Sequence, residues 1–410
     1  YGKLGNQNTG DTYAYLEEIV TGQTLNYTLD GTSKLQYSKP SDPKTSYLTW
    51  ETIATWNIGL DMSFLNNRLT FTGDYFIRNT EGMLADSYEL PGVFGAKTPD
   101  ENCADLRTNG WELYLGWNDS FALMGKRFNY TVSATLGDNK TVFTKFNNPE
   151  KNLSNHYEGK VLGEIWGYRV DGLFASDEEA AEYTSKINQD AVNERILTDK
   201  VDPYYRAGDL KFRDLDGDNV ISKGDDTAYD AGDREIIGNE TPRYMYSFRL
   251  GADWNGFDLG IFFQGVGKRD WYPNYLSTGF WGPYSRAFTS FIPENFMDQC
   301  WSEENRDGYF PRFRGYQTFA GSQLGVNNDR YLQDASYIRL KNLTVGYTLP
   351  VLKKVFTKLR VYFTGENLWY WSPMLKHTKY IDPEAAGGNG NTGMAYNYSR
   401  NFSVGVDITF

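Results

Sequence analysis

The chain has 410 residues and a formal net charge of −12, an acidic balance that argues against a nucleic-acid-binding surface, which is usually basic. Aromatic residues make up 16% of it, with 31 Tyr, 25 Phe and 11 Trp, an excess that suits a membrane-interface belt or a sugar-stacking surface. Mean hydropathy is −0.59, and no run approaches the ~18 apolar residues that a membrane helix needs; helical spans are excluded, whereas β-barrel spans, apolar on one face only, stay open.

The start, "YGKLGNQNTGDTYAYL", has neither the basic start nor the apolar stretch of a signal peptide. The expectation is a cytoplasmic chain or one that has lost its beginning. Residues 1–50 hold two weak strand candidates, "YAYLEEIV" and "TLNYTLD". Nine clear segments of period two follow. Their apolar sets are Trp56, Ile58, Leu60, Met62 and Phe64; Leu69, Phe71, Gly73, Tyr75 and Ile77; Trp111, Leu113, Leu115 and Trp117; and Phe128, Tyr130, Val132, Ala134 and Leu136. Next come Tyr244, Tyr246, Phe248, Leu250, Ala252 and Trp254, then Phe257, Leu259, Ile261 and Phe263, and Leu343, Val345, Tyr347 and Leu349. The last two are Leu359, Val361 and Phe363, and Phe402, Val404, Val406, Ile408 and Phe410. Such alternation predicts half-buried strands, and a slip of phase at Lys341 and Asn342 predicts a β-bulge.

The apolar faces of these nine segments carry no charged residue, while Asp61, Asp74, Glu112, Arg249, Asp258, Arg360, Glu366 and Asp407 fall on the opposite faces. A cation on a lipid face costs roughly 2–4 kcal/mol at the bilayer midplane. A large soluble β-protein would show the same alternation, so the connections have to decide. They alternate in length: a tight Asn66–Asn67 turn, a long stretch from about 80 to 106, and a short one at about 120–126. A very long stretch at about 139–241 precedes the Asn255–Gly256 turn, the strongest short hairpin signal. Long, short and long follow at about 267–334, 350–357 and 372–395. Short periplasmic turns and long extracellular loops are the pattern of outer-membrane barrels. The final strand then runs inward, with Phe402, Val404, Val406, Ile408 and Phe410 facing lipid. Its terminal Phe410 resembles the signal by which such barrels are recognised for assembly.

Within the loops, "DLDGDNVISKGD" places Asp214, Asp216 and Asp218 at positions one, three and five of an EF-hand-like pattern. The Val220 carbonyl falls at seven, Ser222 at nine and Asp225 at twelve. Clustered carboxylates suit Ca²⁺ (or Mg²⁺) bracing an extracellular loop, although Asn219 stands at position six and an Asp, not a Glu, at twelve. An acidic turn held by Asx hydrogen bonds reads equally from the same residues. Ser176 and Glu179 have capping-box spacing and predict a short helix. The loop 267–334 concentrates aromatics; most are expected to pack on themselves or on a partner, while Trp271, Tyr272, Asn274, Trp281 and Arg286 are the candidates for contact with a transported substrate. Cys103 and Cys300 could be bridged or free. His156 and His377 are the only histidines, and no nucleophile, zinc or phosphate-loop motif accompanies them. No catalysis is expected.

Several stretches, among them "WETIATWNIGLDMSFLNNRLTFTGDYFIRNTEGML", "DLRTNGWELYLGWND", "IWGYRVDGLFAS", "GDLKFRDLDGDNVIS", "IGNETPRYMYSFRLGADWNGFDLGIFFQGVGKRDWYP" and "DASYIRLKNLTVGYTLP", resemble the SusC/RagA family of TonB-dependent outer-membrane transporters of Bacteroidetes. They run in family order from about residue 45 to Phe410. The resemblance implies an all-β fold, the C-terminal part of a 22-stranded transmembrane antiparallel β-barrel, with the whole of 1–410 being barrel. Plug domain and N-terminal extension have no counterpart in the chain. It further implies active import of oligosaccharides or oligopeptides, driven through TonB acting on the plug-bearing part. A SusD-like surface lipoprotein would sit on the long loops, in a dimer of SusC–SusD pairs, with no cofactor required. A passive barrel whose loops bind a surface partner and a soluble β-rich glycan-binding protein are the alternatives.

Overall fold

The structure is a computed structural model describing residues 1–6, 15–28, 31–45, 47–86, 93, 95–288, 290, 292–350, 357–387 and 396–410. Ten strands follow one another in chain order across one sheet. They are β1 (Gly2–Asn6), β2 (Glu51–Phe64), β3 (Leu69–Asp86), β4 (Asp100–Leu123), β5 (Lys126–Lys145), β6 (Arg243–Trp254), β7 (Phe257–Lys268), β8 (Tyr337–Leu349), β9 (Lys358–Trp371) and β10 (Asn401–Thr409). The pairs β1–β2, β5–β6, β6–β7, β7–β8, β8–β9 and β9–β10 are antiparallel. No helix is long and apolar enough to cross a membrane among the described residues, a statement that bears on helices alone.

Two compact units partition the chain: 1–58, 75–110 and 140–162 in one, and 59–74, 111–139 and 163–410 in the other. In the first, β1 pairs with β2 from Gly2↔Thr55 to Asn6↔Glu51, and the Asn6 amide donates to Glu51 at 2.9 Å. This edge strand has no apolar alternation, which is why it escapes a reading by period. Of the weak candidates of 1–50, "TLNYTLD" lies on a strand as far as Thr28, together with the end of "YAYLEEIV". Ile19–Thr28 pairs with Lys34–Pro40 as a separate hairpin, and the start of "YAYLEEIV" lies outside the described residues. Strands β3 and β4 run well past their apolar segments, so the connection expected at about 80–106 shrinks to 87–99. Polar pairing carries the extension: Asp105 accepts from the Gly82 amide at 2.8 Å, and Thr108 meets Thr141 at 2.8 Å. Hydropathy cannot register such a ladder. Cys103 lies buried on β4, and neither it nor Cys300 is bridged.

In the second unit the turns do most to fix register. Asn255 and Gly256 both take positive φ, 51° and 88°, the conformation that two-residue hairpins of this hand require. The connection expected at about 120–126 is tighter than that. It is the pair Met124 and Gly125, at φ 52° and 75°, and Met is a poor advertisement for a left-handed turn. The register of β7–β8 shifts between Phe262 and Phe263, and that of β8–β9 between Leu340 and Asn342. Lys341 is therefore the extra residue, as the slip of phase predicts. Thr409 pairs with Lys358, so the chain ends beside the short 350–357 connection, at the end where the turns are tight.

The largest buried cluster sits in the long connections and not on the sheet. Phe280, Trp281, Tyr284, Phe310 and Tyr331 are each 2% exposed or less, with ring centroids 5.3 Å apart for Trp281–Tyr331 and 5.0 Å for Phe296–Phe310. The predicted helix is α1 (Asp177–Thr184); the Ser176 hydroxyl accepts from the Glu179 amide at 3.1 Å and the Glu179 carboxylate accepts from Ala175 at 2.7 Å.

Candidate functional site

Register turns the alternation into surfaces. One face of the sheet shows the rows Val132–Leu250–Ile261–Leu343–Gly365–Phe402 and Tyr130–Ala252–Leu259–Val345–Phe363–Val404. Beside them runs Phe128–Trp254–Phe257–Tyr347–Val361–Val406. No charge interrupts these rows, and their side chains are for the most part half-buried to open: Val345 is 43% exposed, Val404 76% and Phe402 65%. Water would not tolerate an uncovered apolar band of this extent on a soluble monomer. Phe128, Trp254, Phe257 and Tyr347 lie next to the tight turns, with Phe257 and Tyr347 4.5 Å apart. Aromatics gathered at one end of an apolar band match the girdle of a membrane barrel.

The opposite face is polar. Arg360 on β9 pairs with Asp258 at 2.6 Å and Asp407 at 3.0 Å, tying β7 and β10 to β9. The Asn129 amide donates to Asp253 at 2.7 Å, Thr135 and Ser247 meet at 2.7 Å, and Arg249 lies over the Phe262 ring at 5.3 Å.

Among the loops, a cleft of 320 Å³ is lined by Ile165, Glu240, Trp271, Tyr272, Asn274, Tyr275, Thr318 and Asn327, with others. Three of the five candidate substrate residues, Trp271, Tyr272 and Asn274, meet here. Trp281 is left out of the lining: its indole N–H donates to the Pro273 and Asn274 carbonyls at 3.2 and 3.1 Å, so it supports the strip that lines the cleft from beneath. Arg286 is exposed and also outside the lining. Tyr272 is fixed by donating to the Val326 carbonyl at 2.8 Å and accepting from Asn328 at 3.0 Å, and burial pushes its hydroxyl pKa well up, which keeps it a neutral donor. Tyr275, 44% exposed, presents the most accessible ring, and Glu240 the carboxylate. Neither was singled out by sequence, because one aromatic among many gives no sign of which will stay open after the others have packed.

Asp214, Asp216 and Asp218 bring one carboxylate oxygen each within 4.8 Å of one another. Asp214 accepts from the Gly217 and Asn219 amides at 2.7 and 2.9 Å, and Asn219 takes the left-handed turn at φ 67°. Asp225 is not among the carboxylates so grouped; the Ser222 hydroxyl accepts from Gly224 at 3.1 Å. The acid that closes the loop is Asp233, fully buried and accepting from Leu215 at 2.7 Å and Ser222 at 2.8 Å. Burial chiefly, with repulsion from Asp216 and Asp214, holds its carboxyl above the ordinary range. Its spacing fits no EF-hand position, so the motif could not point to it.

No family model matches the chain. Over its full length it is 27% identical to TonB-dependent receptor P26 of Formosa agariphila, of which it covers 39%. It is 24% identical, again over its full length, to TonB-dependent receptor SusC of Bacteroides thetaiotaomicron, covering 37% of that protein. Its fold superposes on 40% of a chain in the structure of the RagAB peptide transporter, with a TM-score of 0.68 at 23% identity. The chain thus spans well under half the length of the relatives it matches.

Proposed function

We propose that the chain belongs to the SusC/RagA family of TonB-dependent outer-membrane receptors, to which its relatives point, and that it forms the C-terminal wall of an active importer for oligosaccharides or oligopeptides. The observation that carries this reading is the exposed, charge-free set of apolar rows across β5–β10, backed by a polar face bearing Arg360, Asp258 and Asp407. One face meets lipid and the other meets the cargo path. The soluble glycan-binding alternative does not survive an apolar face of that extent.

In this reading the plug-bearing part of the same transporter couples to TonB, and a SusD-like lipoprotein sits over the long connections, in a dimer of such pairs. The cleft at Trp271, Tyr272 and Asn274 contacts cargo, with Tyr275 as its stacking ring and Glu240 as its carboxylate. The strand Phe402, Val404, Val406, Ile408 and Phe410 serves assembly. The loop 214–233 takes Ca²⁺, with Asp214, Asp216 and Asp218 as oxygen donors. The donor set suits a hard cation, which would brace the loop and perform no chemistry.

Purification from native membranes tests the importer reading. A plug-bearing segment and a SusD-like lipoprotein should accompany the chain; recovery of neither would leave the passive barrel as the better description.

A further inference from the structure

The connection between β9 and β10 folds back onto the polar face of β8. Asp382, 1% exposed, pairs with the equally buried Arg339. Glu384 lies 3.0 Å from Arg339 Nε, in a geometry without a directed hydrogen bond, and accepts twice from Lys341 Nζ at 2.7 and 2.8 Å. The Tyr370 and Tyr398 rings lie 4.7 and 5.2 Å from the Arg339 guanidinium, and Tyr398 lies 4.8 Å from the Lys341 ammonium. Immediately after β7, Arg269 reaches the same segment and donates to the Pro383 carbonyl at 3.3 Å, as well as to that of Glu240 at 3.2 Å.

Stability alone explains this cluster poorly. Buried ion pairs are often no more stabilising than apolar residues of the same volume, because both ions lose their water. Here the balance is worse still, since Asp382 Oδ2 is buried without any hydrogen bond. What such a cluster does supply is a defined position, because removing either partner strands the other charge. The bulge at Lys341 falls at this point of β8. Glu384 moreover lines a recess of 410 Å³ on the polar face, together with Met245, Phe262, Gln264 and Val266.

We propose that Arg339 and Lys341 are positioning residues that pin residues 379–387 to the sheet as a fixed strap, so that Glu384 forms an immobile wall of this recess. The strap narrows the polar face permanently and does not swing as a lid. This claim concerns the loop and stands apart from what, if anything, is imported. A nitroxide on Lys379→Cys, in the full-length transporter in nanodiscs with Cys103 and Cys300 replaced by Ser, reads the strap directly. The parent should give a slow-motion spectrum, while the same label on Lys200→Cys in an exposed loop gives a fast one. Lys341→Glu and Glu384→Lys should each shorten the correlation time at position 379 by about fivefold, within the range of loop motions. Lys341→Arg, which keeps the charge, should leave the label slow, which a loop merely damaged by any change at 341 would not allow. Fast motion in the parent, charge reversals without effect, or a Lys341→Arg variant as mobile as Lys341→Glu would each overturn the proposal. If Lys341→Glu prevents barrel assembly, Glu384→Gln, which leaves β8 untouched, carries the same test.

Discussion

Replacing Val345 on β8 by Arg should damage the folded barrel far more than replacing its neighbour Thr344. Val345 stands in the row between Leu259 and Phe363 and is already 43% exposed, so little protein packing is lost. The cost is that of an arginine on a lipid face, ~2–4 kcal/mol near the midplane. Thr344 points the other way, between Gly260 and Thr364. Nothing lies within 4 Å of where a Gly260 side chain would begin, so a long side chain has room. Thr344→Arg forfeits a hydroxyl contact with Thr364 at 3.1 Å, worth ~1 kcal/mol. The two variants should therefore differ by ~1–3 kcal/mol, about 5- to 150-fold in the folding equilibrium. Urea titration of refolding into lipid vesicles, followed by heat-modifiable mobility on gels, measures the gap. Equal effects, or a larger one at Thr344, would refute the assignment of faces.

Gly256→Ala should cost ~1 kcal/mol or more, because its φ of 88° disfavours any side chain and a Cβ there would sit 2.7 Å from the Thr348 carbonyl oxygen; the same urea titration reads it. His377 stacks on Tyr309 with centroids 3.5 Å apart, and burial chiefly, aided by Lys376 and Arg330, lowers its pKa to about 4. The fold therefore favours the neutral ring. Its contribution is complete above the ordinary histidine range, near 6.5, and is lost as pH falls from there towards 4. Ring NMR of histidine-labelled protein should show a midpoint near 4, and a midpoint near 6.5 would contradict the stacking. Chelation should speed proteolysis around Asp214, and unchanged cleavage would remove the Ca²⁺ assignment. Ser176→Ala should weaken α1 by about 1 kcal/mol, seen as faster hydrogen exchange confined to 177–184.

Sequence carried the sheet wherever hydropathy follows the pleat. Nine of the ten strands, the Asn255–Gly256 turn and the bulge at Lys341 follow from period two and local turn chemistry. β1 was invisible because "GKLGN" has no apolar alternation, and the outer halves of β3, β4 and β5 because polar ladders replace apolar rows there. The capping pair Ser176–Glu179 was legible because it is local. The cleft was half legible: Trp271, Tyr272 and Asn274 line it, but Trp281 packs beneath. Which aromatic stays open depends on contacts among connections far apart in the chain. Asp233 closes the acidic loop through its own burial, a tertiary property that spacing does not encode.

The central claim is that one face of this sheet lies in lipid and the other does not. A nitroxide scan of β10 from Asn401 to Thr409, comparing collision with oxygen and with a water-soluble nickel chelate, tests it most directly. Oxygen should dominate at Phe402, Val404, Val406 and Ile408, and the chelate at Asn401, Ser403, Gly405, Asp407 and Thr409, with period two throughout. Equal access of the chelate to both sets would contradict the account.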